Sequence, residues 1–235
     1  MQRYFAKDKK GNLFVLEEGD IHHIRNVMRM QSGAFIEVVY DGTLYKCKVD
    51  IDSDVSISFD SVMDINVVST KEIVLIVPVL KEQKMDLVLQ KSTELGVDRI
   101  IPIITERCVV KVDSKEEKKI IRWNRIVKEA SEQCKRVSVP IIDKIMQISD
   151  LNFSDGVKYV CSTRENSKNI KNVMHNILEC AKMYIVVGPE GGLSIKEEDN
   201  LNNMGFVSIS LGSRIMRVET VPICLLSILN YEMLE

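Results

Sequence analysis

Two glycine-bearing segments hold the residues whose types and spacing suit chemistry. They are Gly188-Pro189-Glu190-Gly191-Gly192 and Leu211-Gly212-Ser213-Arg214-Ile215-Met216-Arg217-Val218-Glu219-Thr220. Glycine accepts φ > 0 and lets a ligand come close to the main chain. Such loops suit the binding of a small molecule, with polar and charged side chains at its rim.

Position supports that reading. Each segment directly follows an apolar run that reads as a buried strand, residues 183–187 for the first and 207–211 for the second. In an α/β protein, ligands bind where loops leave the carboxyl ends of strands. The usual phosphate ligands are excluded. A P-loop needs Lys and then Ser or Thr after its last glycine, and Leu193-Ser194 stand there instead. No G-x-G-x-x-G opens a βαβ unit. A Ser-His-Asp hydrolase fits poorly too: there is no G-x-S-x-G, and His175 falls inside a predicted helix, as a surface or packed residue.

The surrounding pattern changes near residue 70. Before it, residues 35–40 and 44–51 flank Asp41-Gly42, a hairpin signal, and residues 55–59 alternate with period two. Ile21, Ile24, Val27 and Met28 share one face of a short helix predicted over 21–30. This is a small β-rich module, expected to be a barrel. After residue 70, strands and helices alternate. Strands are predicted over 73–80, 99–104, 159–161, 183–187 and 207–211. Helices are predicted over 85–95 (stopped by Gly96), from Ser114, over 169–180, from the capping box Ser194-Ile195-Lys196-Glu197, and to about Leu234. Alternation of this kind gives a mostly parallel sheet covered by helices.

Composition sets bounds. The 235 residues are 45% hydrophobic, enough for a core, and no apolar run approaches the ~20 residues that span a bilayer. The start of the chain lacks the apolar stretch of a signal peptide. Six scattered cysteines fit free thiols in a reducing cytoplasm, with no metal site. A net charge of −2 excludes a grip on nucleic acid by bulk charge alone. Basic residues do cluster from Lys111 and Lys115 through Arg122, Lys128 and Lys135 to Arg136, which by itself reads as a solvated helix face.

Beyond the two loops, the chain carries His22-His23-Ile24-Arg25-Asn26-Val27-Met28-Arg29, Gln90-Lys91-Ser92-Thr93-Glu94-Leu95-Gly96-Val97, Glu106-Arg107-Cys108, Arg122-Trp123 and Glu129-Ala130-Ser131-Glu132-Gln133-Cys134-Lys135-Arg136. In this order they resemble, nearly end to end, the bacterial ribosomal RNA uracil-N3 methyltransferases (the RsmE family) of the knotted SPOUT class. Four positions depart from that family: Met216 for Leu, Val218 for Thr, Val221 for Ala, and Pro222 near a helix start.

The resemblance implies an α/β trefoil-knot methyltransferase domain at 71–235 behind a PUA-like, RNA-binding β-barrel at 1–70. It implies S-adenosylmethionine as cofactor, held by Ser162, Thr163, Gly188, Pro189, Glu190, Gly191, Gly192, Leu211, Gly212, Ile215, Met216 and Arg217. It implies methylation of uridine N3 in 16S rRNA of the small ribosomal subunit, by a homodimer without metal or membrane contact. Glu190 and Glu219 are candidate bases, with Arg217 for charge stabilisation. Glu219 could instead complement a helix dipole with Arg217 as its partner. Arg3, His22, His23, Arg25, Arg29, Arg136 and Arg214 are expected to contact RNA, with one of the two histidines packed and the other exposed. Another SPOUT methylation (ribose 2′-O or guanine N1) and a non-catalytic RNA-binding assembly factor are the alternatives.

Overall fold

The computed structural model describes residues 1–64, 71–110 and 116–233. Contacts divide the chain into two compact units, one of Met1–Val68 with Lys128–Val139 and one of Ser69–Val127 with Pro140–Glu235. The boundary expected at residue 70 lies outside the described residues, as do Ser114, Lys111, Lys115 and Leu234. The segment Lys128–Val139, expected in the C-terminal domain, groups with the first unit instead. Two ion pairs join it to that unit: Lys128 Nζ reaches Asp20 at 2.7 Å, and Lys135 Nζ reaches Glu37 at 3.1 Å.

The first unit is a six-stranded sheet in the order β1-β4-β5-β6-β3-β2. Its strands are β1 (Arg3–Phe5), β2 (Asp8–Lys10), β3 (Leu13–Val15), β4 (Phe35–Tyr40), β5 (Thr43–Ile51) and β6 (Val55–Val62). One core of Tyr4, Phe14, Ile24, Ile36, Val38, Cys47, Val49 and Ile57 draws on five of them. Asp41 (φ 48°) and Gly42 (φ 70°) make the predicted tight turn between β4 and β5. The predicted helix starts earlier, as α1 (Glu18–His22), and then widens into a π-helical turn, His23–Val27. There the Met28 N–H reaches His23 O at 2.8 Å. The wider turn rotates side chains away from the 3.6-residue spacing. Ile24 therefore stays buried, while Val27 and Met28, expected on the same buried face, are 60% and 46% exposed.

The second unit is built on a parallel sheet in the order β10-β8-β7-β12-β11-β13, with β9 also beside β8. Its elements are β7 (Glu72–Pro78), α2 (Glu82–Glu94), β8 (Arg99–Ile104), the first part of α3 (Glu116–Gln133), β9 (Ile141–Ile142), β10 (Met146–Gln147), β11 (Val157–Cys161), α4 (Ile170–Glu179), β12 (Lys182–Val187), α5 (Ile195–Asn203), β13 (Val207–Ile209) and α6 (Thr220–Glu232). β7 and β12 are buried almost throughout, as strands covered on both faces must be. Val74, Ile76, Ile101, Ile103, Val160, Tyr184 and Val186 form the core they share. No helix among the described residues is long and apolar enough to cross a membrane.

Candidate active site

β12, β11 and β13 are neighbours in the sheet, so the loops at their carboxyl ends meet. The Ser162 N–H, just past β11, donates to Ile209 O at 2.9 Å. The loop after β12 carries Gly188 to Gly192, and the loop after β13 leads into α6. A cavity of about 620 Å³ opens among the three, within the range of small-molecule sites. Ser162, Thr163, Gly188, Pro189, Glu190, Gly191, Gly192, Ile215, Met216 and Arg217 line it. Leu211, Gly212 and Arg214 line a smaller cavity of about 120 Å³ that shares Ser162, Thr163, Ile215, Met216 and Val221 with the first.

The walls are held from several elements. Arg107, after β8, donates to Gly191 O at 2.8 Å. A Cβ on residue 191 would lie 3.3 Å from the Arg107 Cβ, so glycine is what lets the loop sit against the Arg107 side chain. Gly212 has φ +120°, which side-chain-bearing residues rarely adopt. Glu197 fixes the way into α5: its Oε2 accepts the Ser194 N–H at 2.8 Å and its Oε1 accepts the Glu106 N–H at 2.7 Å. Arg164, after β11, pairs with the buried Glu198, which also accepts from Ser208 Oγ at 3.3 Å.

The two candidate bases converge on one residue that sequence reasoning passed over. Lys84, in the first turn of α2, places Nζ 2.7 Å from Glu190 Oε1 and 3.5 Å from Glu219 Oε2. Lys84 and Glu190 both line the cavity; Glu219 is not among its lining residues. Glu219 takes the N-cap position of α6 without a side-chain capping bond. The pairing of Arg217 with Glu219, open in the sequence, gives way to Lys84, and Arg217 stays exposed on the cavity wall. Burial pushes the Glu190 carboxyl up, but hydrogen bonds from Lys84 and from the backbone outweigh it and hold it below the usual range. The same bond to Glu190 raises the Lys84 ammonium.

The expected RNA-contacting residues divide. Arg3 is a correction: it is buried, ion-paired to Glu37 at 2.8 Å, and donates to the carbonyls of Lys135 and Arg136. A guanidinium used in this way is not presented to phosphate. His23 packs, with Nδ1 2.9 Å from the Tyr4 hydroxyl, while His22 is exposed, as the expected split requires. Arg25 and Arg29 are exposed beside His22, and Arg214 is exposed in the second unit. Arg136 is half-buried, 3.3 Å from Ser138 O.

Residues 68–230 match the RNA methyltransferase domain family, and residues 16–54 match the RNA methyltransferase PUA domain. The ribosomal RNA small subunit methyltransferase E of Bacillus subtilis is 34% identical, across 99% of this chain and 97% of its own length. The protein of that name from Aquifex aeolicus is also 34% identical, across 97% and 99%. The chain belongs to the ribosomal RNA small subunit methyltransferase E family. Among solved structures, the Neisseria gonorrhoeae member of that name, bound to S-adenosyl methionine, superposes with a TM-score of 0.88 at 28% identity, covering 99% of this chain and 98% of that one. A Legionella pneumophila protein in complex with the same cofactor gives 0.91 at 30% identity, covering 99% and 98%.

In this member of the methyltransferase E family, the departures fall on the cavity and the start of α6. Val218 is buried and lines the cavity, and Val221 lines both cavities. Pro222 is the third residue of α6, where an N–H has no intrahelical acceptor, so its absence costs no hydrogen bond.

Proposed function

We propose that this protein methylates N3 of a uridine in 16S rRNA of the small ribosomal subunit, using S-adenosylmethionine. Family membership supports the reaction class. The observation that carries the reading is the cavity between the glycine loops, whose residues fit the cofactor. Val187, Leu193, Ile215, Met216, Val218 and Val221 give apolar walls for an adenine, and residues 188–192 bring main-chain groups to the same space. When bound, S-adenosylmethionine supplies an electrophilic methyl group on a sulfonium.

The chain's own residues then align the nucleophile and manage its proton. N3 of uracil carries a hydrogen and attacks well only as that hydrogen leaves, so a general base beside it would speed the step. Glu190, on the cavity wall, is the candidate, and Arg217 on the same wall is suited to negative charge developing on the base. N3 lies on the Watson–Crick edge, so the target must be unpaired or flipped out. His22, Arg25 and Arg29 of the PUA-like unit, with Arg136 and Arg214, are the side chains offered to the RNA backbone.

The C-terminal domain is proposed to be threaded as a trefoil knot and the protein to act in the cytoplasm as a homodimer. An apolar cleft of about 560 Å³ lined by Ile170, Met174, Ile228 and Tyr231, the last 73% exposed, is a surface a second copy would cover. Two tests check the function. Calorimetric titration is expected to show S-adenosylmethionine binding; absence of heat and of any thermal shift would favour a non-catalytic assembly factor. Incubation with unmethylated small subunits is expected to yield 3-methyluridine, and any other methylated nucleoside would overturn the N3 assignment.

A further inference from the structure

We propose that Lys84 and Glu190 together read the Watson–Crick edge of the target base, Glu190 accepting the N3–H of uracil and Lys84 donating to the carbonyl oxygen beside it. The inference rests on the uridine methylation proposed above and names what selects the base.

The geometry is that of a fixed donor beside a fixed acceptor. Both side chains line the cavity and are about a third exposed, at 32% and 33%. They hold each other at 2.7 Å. An ammonium has three N–H donors, and a carboxylate has lone pairs to spare beyond the one used in the pair. Each partner therefore keeps capacity toward the cavity. Uracil presents N3–H, a donor, between two carbonyl oxygens, both acceptors. That edge is complementary to an acceptor next to a donor. Cytosine presents a bare N3 lone pair between its O2 carbonyl and an amino group, so it would set lone pair against carboxylate and, with Lys84 at the 4-position, N–H against ammonium. Desolvated mismatches of this kind are what give a site discrimination.

The same pair suits the chemical step. The N3–H bond breaks and its proton passes to the Glu190 carboxylate. The N3 electron pair forms the new N–CH₃ bond as the methyl leaves sulfur, which keeps the electrons of the broken bond. In the course of proton loss, negative charge spreads onto the carbonyl oxygen that Lys84 faces, where an ammonium stabilises it. Glu219 completes the arrangement. Its carboxylate lies 3.5 Å from the ammonium, is not among the groups lining the cavity, and is only 13% exposed. Two carboxylates thus share one ammonium. Once Glu190 is protonated, Lys84 remains balanced by Glu219, and no lone cation is stranded in a partly buried site. Glu219 is on this account a positioning residue, and Lys84 and Glu190 are catalytic residues.

The test compares wild type, Glu190→Gln, Lys84→Met and the charge-keeping Lys84→Arg on unmethylated small subunits containing either uracil or 5-fluorouracil. Fluorine makes N3–H more acidic, so a missing base or a missing oxyanion partner matters less. Glu190→Gln is expected to lose about 10²–10⁴-fold in kcat on uracil. It should regain at least about tenfold of that on 5-fluorouracil, with a rate that climbs between about pH 7 and 9 as N3 ionises on its own. Lys84→Met should follow the same pattern, and Lys84→Arg should keep part of the rate. Calorimetric affinity for S-adenosylmethionine should stay within about threefold of wild type in the two Lys84 variants, separating base reading from cofactor binding. Equal losses on both substrates with a flat pH response, or full turnover by either Glu190→Gln or Lys84→Met, would overturn the proposal. If wild type itself makes no 3-methyluridine, the function proposed above is what fails.

Discussion

Lys84 Nζ stands 2.7 Å from Glu190 and 3.5 Å from Glu219, so the two acids of the glycine loops are one electrostatic group. Sequence alone put a carboxylate in each loop but had no means to connect them. The lysine that does so is 106 residues from Glu190 and sits in an amphipathic helix whose first turn looks like any solvated one. The glycines were legible because their conformational freedom is a property of the residue itself. A charge is legible as a functional group only once its neighbours are known, and Arg3 shows the same point in reverse. The resemblance put it among the RNA contacts, yet its side chain is 8% exposed against Glu37. Arg3→Ala should leave Glu37 with a weakened set of partners in a buried site. The expected cost is about 3–5 kcal/mol. Chemical denaturation would measure it. RNA affinity of the folded fraction should keep its salt dependence, whereas loss of a phosphate contact lowers the salt slope by about one.

At the scale of elements, long periodic segments declared themselves and short ones did not. β8 runs over Arg99–Ile104 as predicted, and Ser194 caps α5 through the predicted box. β1, β2 and β3 span three residues each, too few for a period to register, and only the sheet that surrounds them makes them strands. The π-helical turn was invisible for a different reason. Apolar spacing predicts where a regular helix would bury Val27 and Met28, and an inserted wide turn shifts that phase. The capping box carries more than a helix end. Glu197 accepts from Ser194 and also from the Glu106 backbone, tying the loop after β8 to the glycine loop after β12. Glu197→Ala should therefore cost about 1–3 kcal/mol in stability, more than the ~1 kcal/mol of a lost cap alone. It should also weaken S-adenosylmethionine binding, read by calorimetry, without touching a residue of the cavity wall. A loss limited to stability would show that the two loops keep their places unaided.

At the scale of the whole molecule, a β-rich part followed by an alternating α/β part was legible from the change of period along the chain. The return of Lys128–Val139 to the first unit was not, since those residues read as the plain continuation of an amphipathic helix. That segment brings Glu132 into the first unit, where burial pushes its carboxyl up to about 7, with Asp20 adding to the rise and Lys128 opposing it. A folded-state value above the unfolded one means that the folded protein holds this proton more tightly. The stability it contributes is present below the ordinary carboxylate range and is lost as pH rises toward about 7. Glu132→Gln should remove that loss, and its stability relative to wild type should grow by about 1–3 kcal/mol between pH 5 and pH 8. Denaturant midpoints at the two pH values would measure the difference, and parallel shifts of both proteins would refute it.

The return also bears on how such a chain can be rearranged. Residues 1–70 alone would lack Lys128 and Lys135, and with them the lysine beside Asp20 and one of the two cations beside Glu37. The N-terminal part is thus no detachable cassette. A chimera that borrows it from a relative must borrow two separated stretches of sequence together, and any insertion, deletion or crossover between residues 70 and 128 must leave both stretches free to meet again.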